Sequence, residues 1–361
     1  MNIISVETRG KRIPFAEAFP VSYEDHAETE HAFVRIETDQ GVIGYGEGTA
    51  LPWFTGETTA GMVGVIENWI APKIRGKSIE KAIASFETFR SQFPENPGAK
   101  AAVELALLDL RGKQIDAPVR ELLGPTVRSE LPLVYPIPGV SSARAAELLD
   151  DGLEQGFSRF KIKATGDIDS DVSRIQTVLS GLPQGSTARV DANTGWRTYA
   201  TTMRVLSRIE NTDRLEYLEQ PTTPERPEDL KHIWEESGVE TYADEFVHSA
   251  TDVVTLGERG LVAGCHLKLA KTGSLTRMSM MAQLADEYGL AVTPVSALGT
   301  SLESTAIRHL AATVPTLSNA CELDPGLLED DPVIDPSPIG PTVPIPDGPG
   351  LGVELDDELF S

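Results

Sequence analysis

Arg159-Phe160-Lys161-Ile162-Lys163 is a short β-rich run with two lysines set among apolar residues. Runs of the same kind recur at Leu131–Tyr135, Ala188–Asp191, Leu215–Glu219, Glu240–Asp244, Cys265–Leu269, Ala291–Val295 and Asn319–Leu323. They fall about one βα unit apart, and helical patterns fill the gaps, as at Ser141–Gln155, Ile168–Leu182, Tyr199–Ile209 and Leu275–Tyr288. Eight strands at this rhythm predict a parallel (β/α) barrel rather than an open doubly wound sheet. No GxGxxG follows the first strand, which argues against dinucleotide binding.

The first 125 residues read as a separate α+β unit. Ile3–Arg9 and Ala32–Thr38 are strand-like, Asp39-Gln40-Gly41 is a turn, and Val42–Gly46 returns as a hairpin partner. Helices follow over Ala60–Ile70, Ile79–Phe93 and Ala99–Lys113. From Pro325 the chain is rich in Pro and Gly; Gly350–Asp356 is expected to form a last strand on the N-terminal unit. The predicted organisation is therefore 1–125, a barrel over 126–324, and a returning tail over 325–361.

Bulk properties narrow the function classes. With 31 basic and 55 acidic residues the formal charge is −24, which disfavours nucleic acid and anionic membranes. Such acidity fits a salt-adapted host or an ordinary acidic cytosolic enzyme. No apolar run is long enough to span a bilayer, and Met1-Asn2-Ile3-Ile4 starts a strand, so a soluble, cytoplasmic protein is expected. Two cysteines, Cys265 and Cys321, make no disulfide framework and are expected as buried thiols.

The chemistry is expected at the C-terminal ends of the barrel strands. These ends carry Lys161 and Lys163, Asp191, Glu219, Asp244, then Lys268. Three carboxylates on consecutive strands repel one another unless a cation neutralises them, and an all-oxygen set selects Mg²⁺, with Mn²⁺ as a substitute. Lysine is scarce, eleven in the whole chain, yet four fall in Lys161–Lys163 and Lys268–Lys271. Lys161 and Lys163 point to one side of their strand, and adjacent ammonium groups lower the pKa of one of them. Lys268 comes from the opposite side of the ring, so a substrate carbon between them meets a base on each face. Lys271 falls beyond the strand and is left out of the set; His266 is expected as a core or supporting residue.

The series Lys161-Ile162-Lys163, Asp191-Ala192-Asn193, Leu218-Glu219-Gln220-Pro221, Ala243-Asp244-Glu245 and Leu267-Lys268-Leu269-Ala270-Lys271-Thr272-Gly273 resembles the muconate-lactonizing subgroup of the enolase superfamily. Gly44-Tyr45-Gly46-Glu47-Gly48 resembles part of its capping domain. The resemblance implies an α/β fold: a (β/α)₇β TIM-like barrel with an N-terminal α+β cap completed by the C-terminal tail, often a homo-oligomer. It implies Mg²⁺ on Asp191, Glu219 and Asp244, with Lys163 and Lys268 abstracting the proton next to a small-molecule carboxylate. Lys161 then touches that carboxylate, and the first-strand loops set substrate choice.

Within the subgroup the motifs lean toward dipeptide epimerases. Thr55-Gly56-Glu57 is similar to a segment of that family, and Glu322-Leu323-Asp324 occupies the place of its ammonium-binding Asp-x-Asp, with Ser296 as a further substrate contact. Glu17, Glu24 and Asp25 suggest tolerance of a cationic side chain. Muconate-type cycloisomerase, o-succinylbenzoate synthase and N-acylamino acid racemase are the alternatives, and a non-catalytic binding protein the remote one. Leu-Ala-Lys after Lys268 departs from the synthases' Pro-Gly-Arg, and Thr293–Ser296 lacks the His of mandelate racemase-like enzymes.

Overall fold

The computed structural model describes residues 1–20, 25–317, 319–323, 326–337 and 340–360. An antiparallel sheet comes first, built from β1 (Ile3–Pro20), β2 (Asp25–Thr38) and β3 (Ile43–Ala50) in that order. Gly41, at φ 74°, makes the turn from β2 to β3, and its N–H donates to the Thr38 carbonyl at 2.9 Å. β1 and β2 stay paired as far as Pro20 with Asp25, after a register shift between Pro14 and Phe19.

The alternating glycines of β3 record a close approach. A Cβ on Gly44, Gly46 or Gly48 would lie 2.4, 1.9 or 2.2 Å from the carbonyl oxygens of Ala106, Ala102 and Gly98 respectively. Those carbonyls belong to the helix Pro97–Ile115, which lies directly on the strand. Only glycine permits that contact.

The second sheet is parallel, with seven strands in sequential neighbour order. These are β5 (Tyr135–Ile137), β6 (Arg159–Lys163), β7 (Thr187–Asp191), β8 (Leu215–Glu219), β9 (Thr241–Ala243), β10 (Gly264–Lys268) and β11 (Ala291–Val295). Leu131–Tyr135 is not one strand. Its first part is β4 (Glu130–Pro132), paired antiparallel with β12 (Thr342–Pro344) of the tail, and the parallel sheet starts at Tyr135. The expected eighth strand is reduced to single bridges: Cys321 to Leu133 at one edge of the sheet and Glu322 to Val295 at the other. Backbone bonds from Ser296 N to Glu322 O (3.0 Å) and Val134 N to Cys321 O (3.1 Å) tie this segment to both edges.

The tail meets the N-terminal sheet, though not through the expected strand. Gly350 and Gly352, at φ 71° and 72°, break Gly350–Asp356 into turns with single bridges from Gly350 to Pro118 and from Leu355 to Val333. Contact is made instead by Phe15 with Leu328, by Arg9 Nη2 donating to the Phe360 carbonyl (3.2 Å), and by Tyr45 against the Phe360 ring. One core cluster spans both sheets, joining Ile13, Phe33 and Leu105 to Leu267, Val292 and Leu310. Cys265 and Cys321 are buried free thiols, each pushed up to about 12 by desolvation. No described helix is long and apolar enough to cross a membrane.

Candidate active site

Strand register sets the site. Lys163 pairs with Asp191 and Asp191 with Glu219, so one lysine and two carboxylates stand side by side at the C-terminal ends of β6, β7 and β8. Asp244 follows the last residue of β9, and Lys268 ends β10. The three carboxylates thus form a row flanked by a lysine on either side. Asp191, Glu219, Asp244 and Lys161 are fully buried; Lys163 and Lys268 keep 8% exposure each.

Each lysine faces a carboxylate. Lys161 Nζ is 2.9 Å from Asp191 Oδ2 and 2.9 Å from Glu219 Oε2, and it also contacts Glu322. Lys163 Nζ is 2.6 Å from Asp191 Oδ2, and Lys268 Nζ is 2.5 Å from Asp244 Oδ2. Lys271 is part of the same set. The short turn Leu269–Thr272 curls back after β10 and brings its ammonium 2.6 Å from Asp244 Oδ1, fully buried. Its place beyond the strand excluded it from the expected set; the signal that marks it is a lysine between Ala270 and Thr272 in a chain that otherwise avoids lysine.

The electrostatics fix the charge state of Lys161. Burial, the largest influence on Lys161, works to depress its pKa. The carboxylates of Asp191, Glu219 and Glu322 outweigh it and hold the group well above the ordinary lysine value. Lys161 is therefore a fixed cation. Burial likewise works to depress Lys268, and Asp244 and Glu219 raise it beyond that. Burial raises Asp191 and Asp244, yet the surrounding lysines carry both below the usual carboxylate range. For Glu322, burial is offset by Lys161, Lys163 and Arg189, which bring it down to about 2.

The three carboxylates suit a hard divalent cation by donor chemistry: oxygen only, anionic, and on adjacent strands. Glu219 Oε2 is buried without a directed hydrogen bond, although Lys161 lies within ion-pair distance. That oxygen has a lone pair left for a cation beside the Lys161 ammonium. As they stand the carboxylates are turned to the ammonium groups. Among the described residues no three acidic, His or Cys side chains converge as a ready-made cage.

The expected substrate contacts divide. Glu322 reaches the site but is engaged by Lys161. Ser296 is buried with no hydrogen-bond partner for its hydroxyl among the described residues. Asp324 and Glu24 lie outside the described residues. Glu57 is directed elsewhere: its carboxylate accepts from Gly98 N (2.6 Å) and Ala99 N (3.3 Å) and so caps the helix Pro97–Ile115. Thr55 Oγ1 donates to the Leu51 carbonyl in the same loop. That loop instead presents Phe54, whose ring centroid is 5.4 Å from Lys268 Nζ.

Comparison with known proteins places this geometry. Residues 3–124 match the mandelate racemase/muconate lactonizing enzyme N-terminal domain, and residues 143–359 match the enolase C-terminal domain-like family. The N-succinyl-L-Arg/Lys racemase of Bacillus cereus is 25% identical over 100% of this chain and 97% of its own, and its crystal structure superposes with a TM-score of 0.92. A chloromuconate cycloisomerase of Cupriavidus pinatubonensis is 30% identical over 90% of this chain and 88% of its own. The dipeptide epimerase of Enterococcus faecalis, solved with Mg and the dipeptide L-Leu-L-Tyr, is 26% identical over 98% of this chain and 99% of its own, with a TM-score of 0.91.

Both matched segments belong to the enolase superfamily. Within it the chain belongs to the mandelate racemase/muconate lactonizing enzyme family, in the muconate-lactonizing subgroup, and is an isomerase. Enzymes of this family generally use Mg²⁺.

Proposed function

We propose that the chain moves a proton at the carbon next to a carboxylate, in an amino-acid derivative of dipeptide type, epimerising that centre. Residues 126–324 then act as a closed (β/α)₇β barrel with Cys321 and Glu322 in its last strand. Residues 1–125 serve as the cap, joined by the tail 325–361. The observation that carries this function is the placement of Lys163 and Lys268 at opposite ends of the carboxylate row, both partly open where the rest of the row is sealed.

Asp191, Glu219 and Asp244 would hold the divalent cation. When bound, it supplies fixed positive charge opposite the substrate carboxylate, where negative charge builds as the proton leaves. Lys161, held as a cation, lies beside the same carboxylate and adds to that stabilisation. Lys163 or Lys268, in its neutral form, takes the α-proton from one face. The C–H electron pair passes into the enediolate of the substrate, and the ammonium on the other face returns a proton with inversion. An α-proton beside a carboxylate is only weakly acidic, so charge stabilisation carries much of the rate.

A second reading, muconate-type cycloisomerisation, draws on Glu322. Its carboxylate is engaged by Lys161 rather than left open to a substrate ammonium group. A panel of free dipeptides, N-acylated dipeptides, N-succinylamino acids and muconate separates the two. Epimerisation predicts that a free L,L-dipeptide turns over fastest. Faster turnover of muconate or of N-blocked substrates overturns it.

A further inference from the structure

Inward-facing positions on a strand recur every second residue, so each member of the site has a neighbour one layer beneath it. Arg189 lies below Asp191, Tyr217 below Glu219, Tyr242 below Asp244, and His266 below Lys268. All four are buried. The rings of Tyr217 and Tyr242 stack with centroids 3.8 Å apart and 9° between planes. His266 stands edge-on to both, at 5.7 and 6.1 Å, and the Arg189 guanidinium lies 5.4 Å from the Tyr217 centroid.

Apolar side chains would fill this layer without the cost of burying polar atoms, so the polar ends need a use. They connect upward. Tyr217 Oη is 3.0 Å from His266 Nε2, and His266 Nδ1, which makes no directed hydrogen bond, lies 3.1 Å from Glu219 Oε1. A carboxylate only accepts, so the tautomer that suits this placement has the proton on Nδ1, with Nε2 accepting from the tyrosine hydroxyl. Lys161 Nζ donates to the same Oε1 from above at 3.3 Å, while Oε2 carries no directed hydrogen bond and has only the Lys161 ammonium within ion-pair distance, at 2.9 Å.

We propose that His266 and Tyr217 are positioning residues for Glu219. They hold Oε1 from beneath so that Oε2 stays turned to the cation that the proposed function requires, and they thereby set its affinity. The inference rests on that metal-dependent reading. Residues of this kind behind metal ligands change affinity by about 10–100-fold when removed.

The test is calorimetric titration of Mn²⁺ into the metal-free wild-type protein and into Tyr217→Phe, His266→Leu and His266→Gln, with thermal unfolding of each in parallel. Tyr217→Phe keeps the ring stack and removes only the hydroxyl, so it decides the matter should a His266 variant fail to fold. Expected is a roughly 10-fold or greater rise in the Mn²⁺ dissociation constant for Tyr217→Phe and His266→Leu. His266→Gln, which retains an N–H donor, should recover part of it. Affinities within twofold of wild type in both Tyr217→Phe and His266→Leu overturn the proposal. A wild-type protein that binds neither Mn²⁺ nor Mg²⁺ overturns the metal-dependent reading itself.

Discussion

Lys271 Nζ lies 2.6 Å from Asp244 Oδ1, while Lys268 Nζ takes the other oxygen of the same buried carboxylate at 2.5 Å. Removing one cation from a buried pair leaves the other charge under-compensated. Lys271→Met should therefore cost the metal-free protein about 3 kcal/mol in urea unfolding. Mg²⁺ should recover part of that loss, because Asp244 then has a second source of positive charge. A variant as stable as wild type without metal would show that Lys271 does not compensate Asp244.

Glu219 is central to the carboxylate row. Glu219→Gln keeps its shape and removes its charge, and turnover should fall by about two orders of magnitude or more, the scale of losing a key electrostatic contact. Activity should vanish in EDTA and return with Mg²⁺ or Mn²⁺. Undiminished activity in rigorously metal-free protein would contradict the assignment of Asp191, Glu219 and Asp244.

Glu57 caps a helix whose own N-cap residue, Asn96, makes no side-chain capping bond and sits at φ 56°. Glu57→Gln should lower stability by about 1–2 kcal/mol through the lost charge at the helix N-terminus. The KM for any dipeptide should stay close to that of wild type. A large KM rise at unchanged stability would return Glu57 to the substrate site.

His309 sets a pH dependence of stability away from the site. Its Nδ1 accepts from Arg120 N (3.3 Å) and its Nε2 donates to the Leu351 carbonyl (3.0 Å), which fixes the neutral ring between a helix and the tail. Desolvation lowers its pKa from 6.5 to about 4. Between those values the unfolded chain binds a proton that the folded chain refuses, so stability rises with pH across that window and is lost as pH falls. Across the whole window the contribution is on the order of 3 kcal/mol. Urea midpoints at pH 4.5 and 7 should differ more in the wild type than in His309→Gln; an equal difference would contradict this.

Most of the parallel sheet was legible because its strands are buried and bounded by turns. The runs at 159–163, 215–219 and 291–295 agree residue for residue with β6, β8 and β11. The failures lie where distant partners decide. β4 pairs with β12, more than two hundred residues away, and no local pattern announces that. Asn319–Leu323 has a strand-like composition yet among the described residues makes only single bridges, Cys321 to Leu133 and Glu322 to Val295. In the site, alternation along β6 and the strand-end carboxylates were readable from spacing alone. Lys271 was not, since a turn of helix rather than a strand brings it back. Glu57 looked like a specificity residue because sequence does not show the helix end that it caps.

The central claim is proton abstraction by two lysines on opposite faces of one carbon, and solvent isotope exchange tests it most directly. L,L- and L,D-dipeptides incubated in D₂O should gain α-deuterium with the wild-type enzyme. Lys163→Ala should abolish exchange from one isomer and leave slow exchange from the other, and Lys268→Ala should show the reverse preference. Equal loss of exchange from both isomers in both variants would contradict the two-base account.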